Sequence, residues 1–91
     1  MRDRKFEWDD SKARANLRKH DVSFELARGV FGDSAGFDEF DESGQEFRWM
    51  RIGISNGVAL AVVYAERGGR FRIISARKAA KHEQGEYFKS G

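Results

Sequence analysis

The chain of 91 residues contains no cysteine and no proline. Without cysteine there is no disulfide framework and no thiolate metal site, and a reducing compartment is compatible with the composition. Histidine is almost as scarce: His20 and His82 are the only two. Aspartate and glutamate are too common here to count as specific ligands, so no metal or cofactor is expected. No apolar run approaches the roughly 18 residues that a membrane span needs. The start, Met1-Arg2-Asp3-Arg4-Lys5, leads into no apolar stretch, so no signal peptide is expected and the expected location is the cytoplasm. A glycine-rich phosphate loop before a helix, a serine-centred nucleophile elbow, a helix-turn-helix, an internal repeat and a linker are all missing. What remains is one small domain over residues 1–91, with a modest core to which two Trp, two Tyr and eight Phe contribute.

Charge is abundant and uneven. The formal net charge is +2, yet residues 32–46 hold Asp33, Asp38, Glu39, Asp41, Glu42 and Glu46 and no Lys or Arg. The rest of the chain therefore sets 17 basic residues against nine acidic ones, a balance of +8. A basic body favours a polyanion, and an acidic loop either faces a basic partner or stays solvated.

Periodicity predicts the element order β-α-α-β-β-β-α. Residues 5–8 alternate as a short strand, and Asp9 or Asp10 can cap a charged helix over 10–20. Ala13, Asn16, Leu17 and His20 share one face of it. Ser23 caps a second helix running to about Phe31, with Phe24, Ala27, Val30 and Phe31 inward and Gly32 at its end. Residues 32–45 read as a loop with an edge strand near 37–40. A strand over 47–54 then turns at Ser55-Asn56-Gly57, in which Asn-Gly is a pair suited to the positive φ of a type I′ turn. The apolar run 58–66 is the expected central strand. Arg67-Gly68-Gly69 turns the chain into a strand over 70–77, and 79–89 reads as a terminal helix. Connections this short make the meander antiparallel, with the helices on one face, an α+β design.

The most informative stretch is Glu66 to Ala79, a hairpin carrying Arg67, Arg70, Arg72 and Arg77. Arginine is costly to order and to bury, so this concentration points to phosphates or carboxylates as ligands, while a solvated sheet face explains it about as well. Glu66, Arg67, Arg72, Ser75 and Arg77 form the first candidate set, either an acid–base and guanidinium site or a cross-strand ion pair of Glu66 with Arg72. Glu46 and Arg48, two apart on one strand face, are a second pair or an exposed surface bridge. His20 reads first as a packing residue with a proton-transfer role open. Tyr64, on the central strand, reads mainly as a packing residue with a polar role open, since the strand's end would put its hydroxyl near Glu66 and Arg67. Lys12, Arg14, Arg18 and Lys19 form either a solvated helix face or added phosphate contacts. Trp8 and Trp49 are core residues or base-stacking surfaces.

These residues also resemble a known family. Phe6-Glu7-Trp8-Asp9, Lys12, Asn16, Lys19-His20, Val22-Ser23-Phe24, Ala27 and Val30-Phe31-Gly32-Asp33 are similar to the first half of the BrnT toxins. Glu46, Arg48, Ile52-Gly53, Val62-Val63-Tyr64, Glu66-Arg67-Gly68 and the block Arg72-Ile73-Ile74-Ser75-Ala76-Arg77-Lys78-Ala79 are similar to the second. The resemblance spans nearly the whole chain. It departs at Asp21, where the family has Gly, at a helix end that needs a left-handed backbone.

The resemblance implies a RelE-like fold and a ribonuclease toxin that halts translation. It also implies a partner, a BrnA-like ribbon-helix-helix antitoxin, in a heterotetramer of two toxins and two antitoxins that meets operator DNA only through the antitoxin. RNA supplies its own nucleophile, the 2′-OH, so the expected chemistry is metal-independent. The expected roles are Arg72 and Arg77 on phosphate and transition state, with Arg48 or Arg67 assisting. Glu46 or Glu66 serves as base and His20 or Tyr64 as reserve proton donor. Lys12, Arg14, Lys19, Ser75 and Lys78 are the expected RNA contacts. The competing reading is a non-catalytic module that binds its antitoxin and helps repress an operon.

Overall fold

A computed structural model describes residues 1–42 and 47–89. The element order is β1 (Phe6–Glu7), α1 (Asp10–His20), α2 (Phe24–Ala27), a 3₁₀ turn (Arg28–Gly32), β2 (Phe37–Asp41), β3 (Arg48–Ser55), β4 (Val58–Arg67), β5 (Arg70–Lys78) and α3 (Lys81–Lys89). The five strands form one sheet in the order β1-β5-β4-β3-β2, with β4 at its centre.

Local chemistry accounts for the boundaries. The Asp9 carboxylate accepts from the Lys12 N–H at 3.0 Å and starts α1. Asp21 ends it at φ 57°, the left-handed conformation the sequence calls for there, and its N–H bonds the Leu17 carbonyl. Ser23 caps α2 by accepting from the Leu26 N–H at 3.0 Å. That helix lasts only four residues before it tightens into the 3₁₀ turn, so the expected helix to Phe31 is shorter than its apolar spacing suggests. Asn56 (φ 50°) and Gly57 (φ 79°) make the β3–β4 turn, and Gly68 (φ 55°) with Gly69 (φ 78°) makes the next.

Two features of the sheet differ from the sequence expectation. It is mixed rather than antiparallel: β1 pairs parallel to β5, Phe6 with Phe71 and Glu7 with Arg72. The long path from β1 through both N-terminal helices permits this, as a parallel pair needs a long crossover. The helices also divide between the two faces. Phe6, Trp8, Val22, Phe24, Ala27, Val30, Leu60, Val62, Ile73 and Ala76 make the main core beneath α1 and α2. Ile52, Ala61 and Ala79 form a smaller cluster with Tyr87 packed on it, which holds α3 on the opposite face. Residues 60 and 62 against 61 separate the two by simple alternation.

Asn16 joins these parts. Its side chain is buried and donates to the Val22 carbonyl at 2.9 Å and to the Ala76 carbonyl at 2.8 Å. It also accepts from the Ala76 N–H at 3.1 Å. Strand β1 reaches only as far as Arg72 along β5, so the amide of Asn16 takes the two backbone bonds of Ala76 that a longer β1 would have taken. Asn16→Ala leaves three buried backbone groups to find other partners and is expected to cost about 2–4 kcal/mol. Thermal melts should record a fall in Tm on the order of 10–20 °C; a shift of under a few degrees would show that water replaces the amide at little cost.

Candidate functional site

The pairing of β4 with β5 contains one irregularity. Val63 pairs with Ser75, but Tyr64 pairs with Ile73, so Ile74 is an extra residue in β5. Arg72 and Arg77 are five positions apart and would face opposite sides of an unbroken strand. The extra residue restores them to one side: Arg72 lies opposite Ala65 and Arg77 opposite Ala61, which alternate together on β4. Ser75, opposite Val63, joins them. Met50 also pairs with Val63, so Met50 and Arg48 on β3 point the same way. Register puts Arg67, at the end of β4, on this face as well. The outcome is a sheet surface with a floor of Val63, Ala65, Ser75 and Met50, bordered by Arg48, Arg72 and Arg77 and flanked by α3.

Two of these arginines are held by carboxylates that the sequence reading did not pair with them. Arg72 Nη1 donates to Glu7 Oε2 at 2.8 Å. The expected partner, Glu66, lies opposite Phe71 and so on the other face. Arg77 makes a two-pronged contact with Glu83, Nη1 to Oε1 at 2.7 Å and Nη2 to Oε2 at 2.9 Å. The same Nη1 contacts the Lys78 carbonyl at 3.3 Å, and Nη2 contacts Met50 Sδ at 3.6 Å. Glu83 is buried, and it also accepts the Ala80 N–H at 2.6 Å. It thereby caps the start of α3 from the third helical position. The Arg77 guanidinium holds the Glu83 carboxyl below the usual glutamate range, and Glu83 in turn raises Arg77. The far end of α3 is tied by Tyr87, whose hydroxyl donates to Asp33 Oδ2 at 2.7 Å. Asp33 also accepts from the Ile54 N–H at 2.8 Å, the first cause of its lowered pKa.

The other sequence candidates lie elsewhere. Tyr64 belongs to the helix-side face, packed against Phe31 and Phe71. Its hydroxyl donates to Asp38 Oδ1 at 2.8 Å rather than approaching Glu66 and Arg67. Burial, then the Asp38 carboxylate, pushes its pKa up and keeps it a neutral phenol. Asp38 is shared with Arg51, whose Nη1 reaches it at 2.7 Å while Nε and Nη2 bond the carbonyls of Val30 and Asp33. Arg51 is thus a strut between β2, β3 and the 3₁₀ turn. Lys78, opposite the core residue Leu60, points to the helix side, as does Glu66. Lys12, Arg14, Lys19 and His20 are on α1, which packs on β5 from that same side, with the first three exposed. Leu17 of the expected inner stripe is exposed, whereas Asn16 beside it is buried. Trp8 is core and Trp49 is partly open. Glu46 lies outside the described residues. Among the described residues no cluster of three or more His, Cys, Asp or Glu could hold a metal ion, and no helix is long and apolar enough to cross a membrane.

Fold and face together define a small α+β domain with one sheet face bordered by guanidinium groups. The family model of the ribonuclease toxin BrnT, of type II toxin–antitoxin systems, matches residues 8–83, and the chain belongs to that family. None of the curated proteins matches it significantly. Membership brings a ribonuclease activity, an RNA substrate and an antitoxin partner with it.

The Arg77–Glu83 pair has a measurable pH signature. A carboxyl whose folded pKa lies below its unfolded value contributes stability that is full above the unfolded value, about 4.3, and is lost as pH falls through the folded one. Glu83→Gln should therefore be less stable than wild type at pH 7, and the gap should narrow as the pH falls below the unfolded value of about 4.3. Urea titrations at pH 7 and at successively lower pH test it; a gap independent of pH would mean that the ionised form of Glu83 is not what the fold uses.

Proposed function

We propose that this chain is a metal-independent endoribonuclease that acts in the cytoplasm and inhibits translation, with the arginine face of the sheet as its active surface. The observation that carries the reading is the convergence of Arg48, Arg72, Arg77 and Ser75 on one face in a chain of the BrnT family. RNA brings its own nucleophile, so the protein has only to orient the phosphodiester, remove the 2′-OH proton, protonate the leaving 5′-oxygen and stabilise the added charge. Arg72 and Arg48 take the phosphate oxygens in this scheme. Arg77 contributes positive potential and its remaining Nε–H, and Arg67 extends the strip at the strand end. The base is a carboxylate: of the two named from sequence, Glu66 lies on the other face of the sheet and ranks with His20 and Tyr64, Glu46 lies outside the described residues, and Glu7, 2.8 Å from Arg72 on the same face, is the one the geometry adds. His20 and Tyr64 rank below water as proton donor, since they occupy the other side of the sheet. Lys12, Arg14, Lys19 and Lys78 are assigned to longer-range attraction of RNA, and Ser75 to direct contact. The arrangement of residues 1–91 is read as a single RelE-like domain.

The same face is the proposed target of neutralisation. A BrnA-like antitoxin of the ribbon-helix-helix type, two copies with two toxins, presents Asp or Glu to the arginines and carries the complex to operator DNA. Raising the salt concentration should weaken such a complex, because part of its attraction is screened.

Cleavage of a long end-labelled RNA in EDTA tests the catalytic reading. Wild type should cut, while Arg72→Ala and Arg77→Ala, purified identically, should lose on the order of 10²-fold or more. Glu7→Gln, Glu46→Gln and Glu66→Gln then identify the base. Cleavage that stops in EDTA and returns with magnesium would remove the metal-free mechanism. No cleavage even with translating ribosomes present would leave the non-catalytic partner module, a reading the tight Arg77–Glu83 contact favours.

A further inference from the structure

Strand β2 ends the sheet, so among the described residues its outer backbone edge has no strand beside it. Five large apolar side chains are exposed among the described residues, and three of them meet here. Phe47 is 77% exposed, Phe40 46% and Trp49 37%. Phe40 contacts Phe47 edge-on at 5.6 Å and Trp49 at 5.5 Å, with Phe40 directly opposite Trp49 across the β2–β3 ladder. An open strand edge is a template for another chain, and clustered exposed aromatics are what binding surfaces are made of.

The surrounding charge selects the occupant. Asp38 is matched by Arg51, and Asp41 lies opposite Arg48, but Glu39 and Glu42 form no ion pair among the described residues. Stacking of RNA on these rings would bring phosphates against the acidic strand, which repels them. A polypeptide with basic side chains meets the opposite sign. Strand alternation also fixes the pattern. Phe40 points to the helix side while Glu39 and Asp41 point to the other. A strand laid along β2 therefore sets an apolar residue beside Phe40 and a basic residue beside Glu39.

We propose that the outer edge of β2, with the Phe40–Phe47–Trp49 cluster, is a strand-addition site for an extended segment of the antitoxin in which an apolar residue alternates with a basic one. This inference rests on the toxin–antitoxin reading above and names a second contact, separate from the arginine face. Main-chain bonds to β2 supply register and the aromatic cluster supplies the anchor. Glu39 and Glu42 steer the approach.

Hydrogen exchange of the chain, alone and in complex with its cognate antitoxin, tests this. The outward-facing backbone amides among residues 37–41, those not bonded to β3, should become protected in the complex. Phe40→Ser/Phe47→Ser should weaken binding at least tenfold, and Glu39→Lys/Glu42→Lys should slow association and reverse its salt dependence at this contact. Both double variants should keep the wild-type Tm, since the changed side chains are exposed. Unprotected β2 amides within an intact complex would overturn the inference and leave the toxin–antitoxin reading standing. Failure to form any complex would overturn that reading and the inference with it. Protection of the same amides by RNA, or by self-association that Phe47→Ser abolishes, would assign the edge to a different occupant and overturn the proposal.

Discussion

Asn16 replaces a strand with a side chain. Its carboxamide carries the donor and acceptor that a peptide unit carries, and it offers both to Ala76 on the edge of β5. Strand β1 can therefore stop after two residues and become α1 without leaving a buried stretch of β5 unsatisfied. The second N–H of the same amide holds the Val22 carbonyl, which fixes the turn between α1 and α2. Residues 16, 22 and 76 are thereby tied at one point, and the helix layer is registered on the sheet by hydrogen bonds rather than by apolar packing alone. Packing alone would tolerate a sliding helix; directed bonds to one backbone unit do not.

That registration matters because β5 is not a regular strand. Its extra residue at Ile74 reverses the alternation midway, so Phe71 and Ile73 before it and Ala76 after it all serve the main core. The same reversal delivers Arg72, Ser75 and Arg77 to the opposite face. Core and arginine surface are two consequences of one insertion. A straight β5 would send either Arg72 or Arg77 into the aromatic core, where an unpaired guanidinium is prohibitively costly.

The sequence carried the elements well and the faces poorly. Asp9, Ser23 and Asp21 act at the chain level, through their own neighbours, and the helix ends they imply are present. Asn56-Gly57 and Gly68-Gly69 mark both hairpin turns for the same reason. The edge strand at 37–41 was visible in outline from Phe37 and Phe40. The parallel pairing of β1, the side on which α3 docks and the insertion at Ile74 all depend on contacts between distant segments. Glu7 and Arg72 are 65 positions apart, and nothing local to either announces the other. Glu66 looked the better partner because it is near in sequence and on the adjoining strand, but register, not proximity, decides which side chains meet. Glu83 had a legible signal: a glutamate at the third position of a helix commonly turns back to cap it. Its second role, on Arg77, had none.

The two arginines of β5 are unequal as anion ligands. A guanidinium has five N–H groups. In Arg77 both terminal nitrogens are engaged, with Glu83, the Lys78 carbonyl and Met50, so an incoming phosphate must displace a two-pronged, buried carboxylate. Arg72 gives a single bond to Glu7 and keeps most of its donors for another acceptor. A phosphate brought to this face would therefore meet less competition at the β1 end than beneath α3. The acidic β2 edge reinforces this polarity, because Glu39 and Glu42 repel a polyanion from the far edge of the sheet. The strand order β1-β5-β4-β3-β2 sets a basic margin and an acidic one at opposite ends of a single sheet, and a nucleic acid and a basic polypeptide would approach the protein from opposite edges.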